Sequence, residues 1–249
     1  MSPKDAESGL SLHGGMFVSL TDEAGTDIQQ ITPKFNPAAT DAPQDGAFMI
    51  QEVDIDGVTS QTYFWLLADS PAASNGAGWY TFSAATGYTY ATKKFEKGEG
   101  FFYQSSYYEN VNEEELPPEF TVSGKVNQEA KTMGYDESGL CLRCNYFPTE
   151  YSIQKLIPTF PAEATDEPQD GAFMIQEVDV DGVTSETYIW LLAGSPSASN
   201  GAGWYTLSAG TGYTYATKMF EPGEGFFYQT AYYEDADGDE VTGTLQFTK

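Results

Sequence analysis

The residues of this chain best suited to chemistry are carboxylates. Asp235-Ala-Asp237-Gly-Asp239-Glu240 crowds acidic side chains around a single glycine, and hard oxygen ligands at that density suit Ca²⁺. The run departs from a helix–loop–helix calcium loop, which places glycine sixth and glutamate twelfth. Glycine is fourth here, and position twelve is Gln246. The preferred reading is an acidic hairpin turn, with Asp235, Asp237, Asp239 and Glu240 as candidate Ca²⁺ ligands in the alternative. Glu52, Asp54 and Asp56, with Glu177, Asp179 and Asp181, would suit glycoside hydrolysis by paired carboxylates. Their alternation instead puts each trio on one face of a strand entering a turn, the pattern of a solvated face.

Nucleophilic catalysis has less to work with. The one histidine, His13, would have to be the base of any triad, and it reads as a strand or loop residue facing solvent. Cys141-Leu-Arg-Cys144 has the spacing of half a zinc site, but no second pair exists. These read as incidental strand cysteines, and two cysteines give no disulfide framework. Gly98-Glu-Gly100 and Gly223-Glu-Gly225 lack the lysine and following helix of a phosphate loop, and a tight turn or bulge fits them. The remaining candidates are aromatic. Trp79-Tyr80 with Tyr88 and Tyr90, and Trp204-Tyr205 with Tyr213 and Tyr215, would form platforms on which sugar rings stack, or else belong to the core.

These residues come in pairs because the chain repeats itself. Asp41–Ser60 returns as Asp166–Ser185, an offset of 166 − 41 = 125 that runs without a gap to Glu109 and Glu234. Roughly four in five positions of that block are identical. Upstream, Ser8-Gly-Leu-Ser-Leu12 matches Ser138-Gly-Leu-Cys-Leu142, an offset of 138 − 8 = 130. The difference is absorbed before Ile28 and Ile153, the mark of a surface loop. Downstream, Val122-Ser-Gly-Lys-Val126 aligns with Val241-Thr-Gly-Thr-Leu245. Two domains follow, residues 1–128 and 129–249.

Within each copy, short runs rich in Tyr, Phe, Thr and Val are separated by turn residues. Phe48–Ile55 and Val58–Leu67 flank Asp56-Gly57, a type I′ hairpin signal, and Asn75-Gly76 introduces a strand at Gly78–Ser83. Tyr88–Thr92, Gly100–Tyr107, Phe120–Val126 and Leu10–Phe17 complete the set, with one short helical turn at Asp27–Ile31. The expected class is all-β, two tandem copies of a Greek-key β-sandwich or partly open barrel.

The charge balance bounds the partners. Asp and Glu number 37 against 11 Lys and Arg, a formal net charge of −26. Phosphate backbones and anionic membrane surfaces are bound through clustered cations, so neither nucleic acid nor membrane insertion is expected. No apolar run is long enough to span a bilayer. The polar N-terminus carries no signal peptide, and one is expected to have been removed from this form.

Gly139-Leu-Cys-Leu-Arg-Cys-Asn-Tyr-Phe-Pro-Thr149, Gly203-Trp-Tyr205 and Glu221-Pro-Gly-Glu-Gly-Phe-Phe-Tyr228 follow one another in order. This resembles the tandem β-modules of largely uncharacterised exported bacterial surface proteins, with their G-x-N-L-x-x-N-P-F-P, G-W-Y and P-G-x-G-F-F elements. The first copy departs from the pattern at Gly15-Met-Phe-Val18 and Lys97. The resemblance implies an extracellular or cell-surface protein without catalysis or cofactor. The expected role is structural or adhesive, with self-association, or contact with other surface proteins, building a fibre or layer. The segment Ser2–Ser8 would be placed to reach a neighbour's strand edge. The alternatives are a tandem carbohydrate-binding module holding glycans through Trp79, Tyr80, Trp204 and Tyr205, and a phage or particle decoration protein.

Overall fold

The computed structural model describes residues 10–14, 17–18, 25–53, 59–106, 108–116, 119–123, 125–126, 131–133, 139–178 and 184–248. The described residues are all-β, with two short 3₁₀ turns as the only helical elements among them. Two six-stranded sheets dominate. In the first, the spatial order is Leu10–Gly14, Gly100–Ser105, Phe48–Val53, Thr59–Leu66, Gly78–Ser83 and Gly87–Tyr90. In the second it is Gly139–Cys144, Gly225–Thr230, Phe173–Val178, Thr184–Leu191, Gly203–Ser208 and Gly212–Tyr215. All pairings are antiparallel. Four strands meander, and the last in sequence returns to lie between the first and second.

Smaller ladders close each sheet into a layered body. Ile31–Lys34 pairs with Glu119–Val122, and Leu156–Thr159 with Thr244–Phe247. These ladders correct the sequence alignment at the C-terminal end. Pro33 faces Phe120 and Pro158 faces Leu245, so Phe120 corresponds to Leu245 and the offset remains 245 − 120 = 125. Matching Val122 to Val241 put like residues together but broke the register, because Val122 takes the place that Phe247 takes opposite Leu156. The hairpin turn at Asp56-Gly57, and Asp54, Asp179 and Asp181, lie outside the described residues, as does Ser2–Ser8.

Each core is built around a tryptophan whose backbone is held by a glutamine side chain. Asp27 caps the Ile28–Gln30 turn, its carboxylate accepting from Gln29 N at 2.9 Å, and Ser152 does the same for Ile153–Lys155. The cap points the glutamine side chain inward. Gln29 Nε2 donates to the carbonyls of Trp79 (3.0 Å) and Ala91 (2.8 Å), and its Oε1 accepts from Trp79 N at 2.9 Å. Gln154 makes the same three bonds with Trp204 and Ala216. The glycine before each tryptophan is required by this arrangement. A Cβ on Gly78 would stand 2.8 Å from Gln29 Oε1, and one on Gly203 2.7 Å from Gln154 Oε1.

Candidate functional site

Neither aromatic pair is a surface. Trp79, Tyr80, Trp204 and Tyr205 are each 0% exposed. The Trp79 indole donates to the Ile31 carbonyl at 2.6 Å and the Trp204 indole to Leu156 at 2.7 Å. The Tyr80 hydroxyl donates to Gly76 O at 2.8 Å and accepts from Asn75 N, as Tyr205 does with Gly201 and Asn200. Their polar atoms are consumed inside the protein and their faces packed by neighbouring rings. The sugar-stacking assignment of these four residues is therefore corrected: Gly-Trp-Tyr is a core motif.

The acidic run is a turn. The Asp235 carboxylate accepts from Asp237 N at 2.9 Å and Asp239 N at 3.0 Å, tying the loop between Tyr233–Glu234 and Glu240–Val241. Asn110 Oδ1 does the same at the corresponding place, accepting from Asn112 N and Glu114 N. Asp237, Asp239 and Glu240 do not converge with Asp235. Among the described residues no three His, Cys, Asp or Glu side chains are grouped to hold a metal ion. The Ca²⁺ assignment of Asp235, Asp237, Asp239 and Glu240 is corrected to a hairpin held by an Asx turn.

Glu52 and Glu177 do not lie on a solvated face. The hydroxyls of Tyr63 and Tyr188 donate to them in short hydrogen bonds. Lys93 Nζ lies 2.6 Å from Glu52 and 2.7 Å from Glu99, and Lys218 spans Glu177 and Glu224 at 2.7 and 2.6 Å. Burial pushes the Tyr63 and Tyr188 phenols far up, and the acceptor carboxylate adds to it. For Lys93 and Lys218 burial opposes the charge, but the two carboxylates outweigh it and the pKa rises. Glu99 and Glu224 also accept from Glu96 N and Glu221 N, fixing the turns that contain Gly98 and Gly223. Both glycines have φ near +80°, at +82° and +78°, which favours glycine.

The two sheets meet along a seam made of corresponding residues. Leu12, Phe102 and Leu142 form a buried cluster with Val53 and Phe227 against it, and the Phe102 and Phe227 rings lie 5.8 Å apart. Isolated antiparallel backbone bridges join His13 to Glu224 and Arg143 to Glu99. Gly100 leaves room for Leu142, and Gly225 for Leu12. The leucine, phenylalanine, glycine and backbone-bridge contacts at the centre thus have their counterparts with the halves exchanged, the signature of a two-fold, self-complementary interface. His13 is buried here, edge-on to Phe120 at 4.8 Å, which corrects its reading as a solvent-facing residue. The cysteines are also placed by the seam. Cys144 is buried with its thiol toward the Glu99 carbonyl, and burial pushes its pKa well up, keeping it protonated.

Beside the seam opens a cleft of about 520 Å³, lined by Lys93, Lys94, Lys131, Arg143, Glu52 and Glu99 among others. Its cations are partnered from within: Lys93 as above, and Lys131 with Glu96 at 3.4 Å. Asn145, fully buried, explains part of the sequence pattern at that end. Its side chain donates to the carbonyls of Thr149, Phe220 and Glu221, stapling two turns together.

The edges far from the seam differ from the rest of the surface. Gly87–Tyr90 and Gly212–Tyr215 end the two sheets, each with one hydrogen-bonded neighbour among the described strands. No residue from Ser70 through Thr92, or from Thr187 through Thr217, carries a charge. Beside these strands Phe82 is 54% exposed and Leu207 56%. Edge strands are commonly guarded by lysine, proline or a bulge, and these two have no lysine or proline. Sequence reasoning passed over them. The signal was the uncharged run, conspicuous in a chain of net charge −26.

No protein family, curated protein or solved structure matches this chain.

Proposed function

We propose that this chain is a noncatalytic structural or adhesive protein of the cell surface, a subunit that joins copies of itself into a fibre or layer. One observation carries the reading: both far sheet edges are uncharged, without lysine or proline, and identical in sequence, Gly-Tyr-Thr-Tyr. A body of net charge −26 repels its own copies. The two edges are where that repulsion is weakest and where unpaired backbone groups await a strand. An extracellular setting and partners among other surface proteins belong to the same reading.

Thr89→Lys with Thr214→Lys tests it by placing a charge on each edge without touching the core. The unaltered chain should grow in mass by light scattering as salt screens the repulsion, with extended particles in electron micrographs. The doubly substituted chain should remain monomeric. An unaltered chain that stays monomeric at every ionic strength would sink the proposal.

A further inference from the structure

Resting on that reading of the edges, we infer that copies meet edge to edge and antiparallel about Thr89 or Thr214, so that the assembly has no direction.

The register of the edge strand decides which groups it offers. Ala91 N donates to Trp79 O at 2.9 Å, which makes Trp79 and Ala91 a hydrogen-bonded pair. The pairing continues as Tyr80 with Tyr90, Thr81 with Thr89, and Phe82 with Tyr88. Hydrogen-bonded and non-hydrogen-bonded pairs alternate in an antiparallel ladder. Thr89 therefore turns its N–H and C=O inward, while Tyr88 and Tyr90 turn theirs out. The second sheet repeats this. Ala216 N donates to Trp204 O at 2.9 Å, and Tyr213 and Tyr215 face outward on either side of Thr214.

Each rim thus presents the backbone of two tyrosines flanking one threonine. A second Gly-Tyr-Thr-Tyr strand laid antiparallel matches Tyr88 to the second Tyr90, and Tyr90 to the second Tyr88. The two threonines then face each other at the non-hydrogen-bonded position, where Cα atoms approach to about 4.5 Å. Threonine pairs at such sites are favourable, and no charge on either strand opposes them. A strand pairing antiparallel with its own likeness makes a two-fold contact, in which one surface serves both partners. The centre of the seam within the chain is also two-fold in its contacts. Alternating two kinds of two-fold contact extends a fibre whose ends are alike, whereas a head-to-tail contact would give it a direction.

Cysteine cross-linking in the full chain tests this, with Cys141→Ser throughout and Cys144 left buried. Thr89→Cys alone and Thr214→Cys alone should each give covalent dimers on oxidation. Together they should give a ladder. Thr92→Cys with Thr217→Cys, exposed but outside the edge strands, should give neither.

If neither single substitution yields dimers and only the pair yields a ladder, the first edge meets only the second. The contact is then head-to-tail and the inference falls, while self-assembly stands. If particles form but no edge cysteine cross-links, another face or an inserted peptide makes the contact, and the inference falls again. If nothing assembles or cross-links, the functional reading falls with it.

Discussion

Gly14 and Cys144 hold corresponding places in the two halves and meet each other across the seam. A Cβ on Gly14 would overlap the Cys144 side chain and stand 2.7 Å from the Glu99 carbonyl. Two glycines here would leave a gap, and two cysteines would collide. This pair therefore fits the first half to the second rather than to another like itself.

Gly14→Val should consequently open the seam. The expected cost is about 1–3 kcal/mol, typical of overpacking, with the Cys144 thiol becoming reactive in a Cys141→Ser background. Adding Cys144→Gly should recover most of the loss. Unchanged thiol reactivity in the valine variant would mean that the seam is not closed here.

Gln154→Ala removes three hydrogen bonds around Trp204. Leaving such groups unpaired costs about 1–3 kcal/mol, read as a lower denaturation midpoint. Gln29→Ala should cost the same within error, because its bonds to Trp79 and Ala91 match in geometry. Unequal losses would show that the two cores respond differently to the same change.

Asp235→Asn should be nearly neutral, since Asn110 performs the same capping in the first half. Asp235→Ala should cost about 1 kcal/mol, the worth of a typical hydrogen bond. Calcium should raise the melting temperature no further than ionic strength alone does. A saturable rise abolished by Asp235→Asn would reinstate the cation site.

Stability should fall on the alkaline side. Burial and their carboxylate partners raise Tyr63 and Tyr188, and Lys93 and Lys218 are raised by their carboxylates against burial. A raised folded pKa means that the native state keeps protons which the unfolded chain has released. The contribution is complete below the unfolded values, about 10 for both residue types, and declines as pH climbs through the folded ones. Melting scans from about pH 9 upward should show the decline. Tyr63→Phe with Tyr188→Phe should lessen its slope, and a slope left unaltered would remove these tyrosines from the account.

The repeat, the all-β class and the positions of most strands were legible in the sequence, because alternation and turn residues act locally. Gly78–Ser83 after Asn75-Gly76 and the short helical turn before Ile31 both follow from a few adjacent residues. What escaped depends on contacts across long separations. The charge on Glu52 reads as exposed until Lys93 and Tyr63 are brought to it by the sheet. Trp79 can be read as platform or core, because the groups that enclose it, among them Gln29, Ile31 and Tyr103, are far away in the chain. The seam was illegible for a further reason: Leu12, Phe102 and Leu142 look like ordinary strand residues until two sheets meet.

The self-complementary seam has a consequence for how its two sides can vary. At a two-fold contact between separate identical chains, every substitution appears twice, so a change favourable on one side is imposed on the other. Within one continuous polypeptide each side has its own codons. Lys94 stands where Met219 stands in the second half, and Arg143 where His13 stands in the first. Only one flank of the contact carries that cationic pair, beside the cleft. A joint whose sides lie in one chain can be lopsided at its flank while its central packing stays matched.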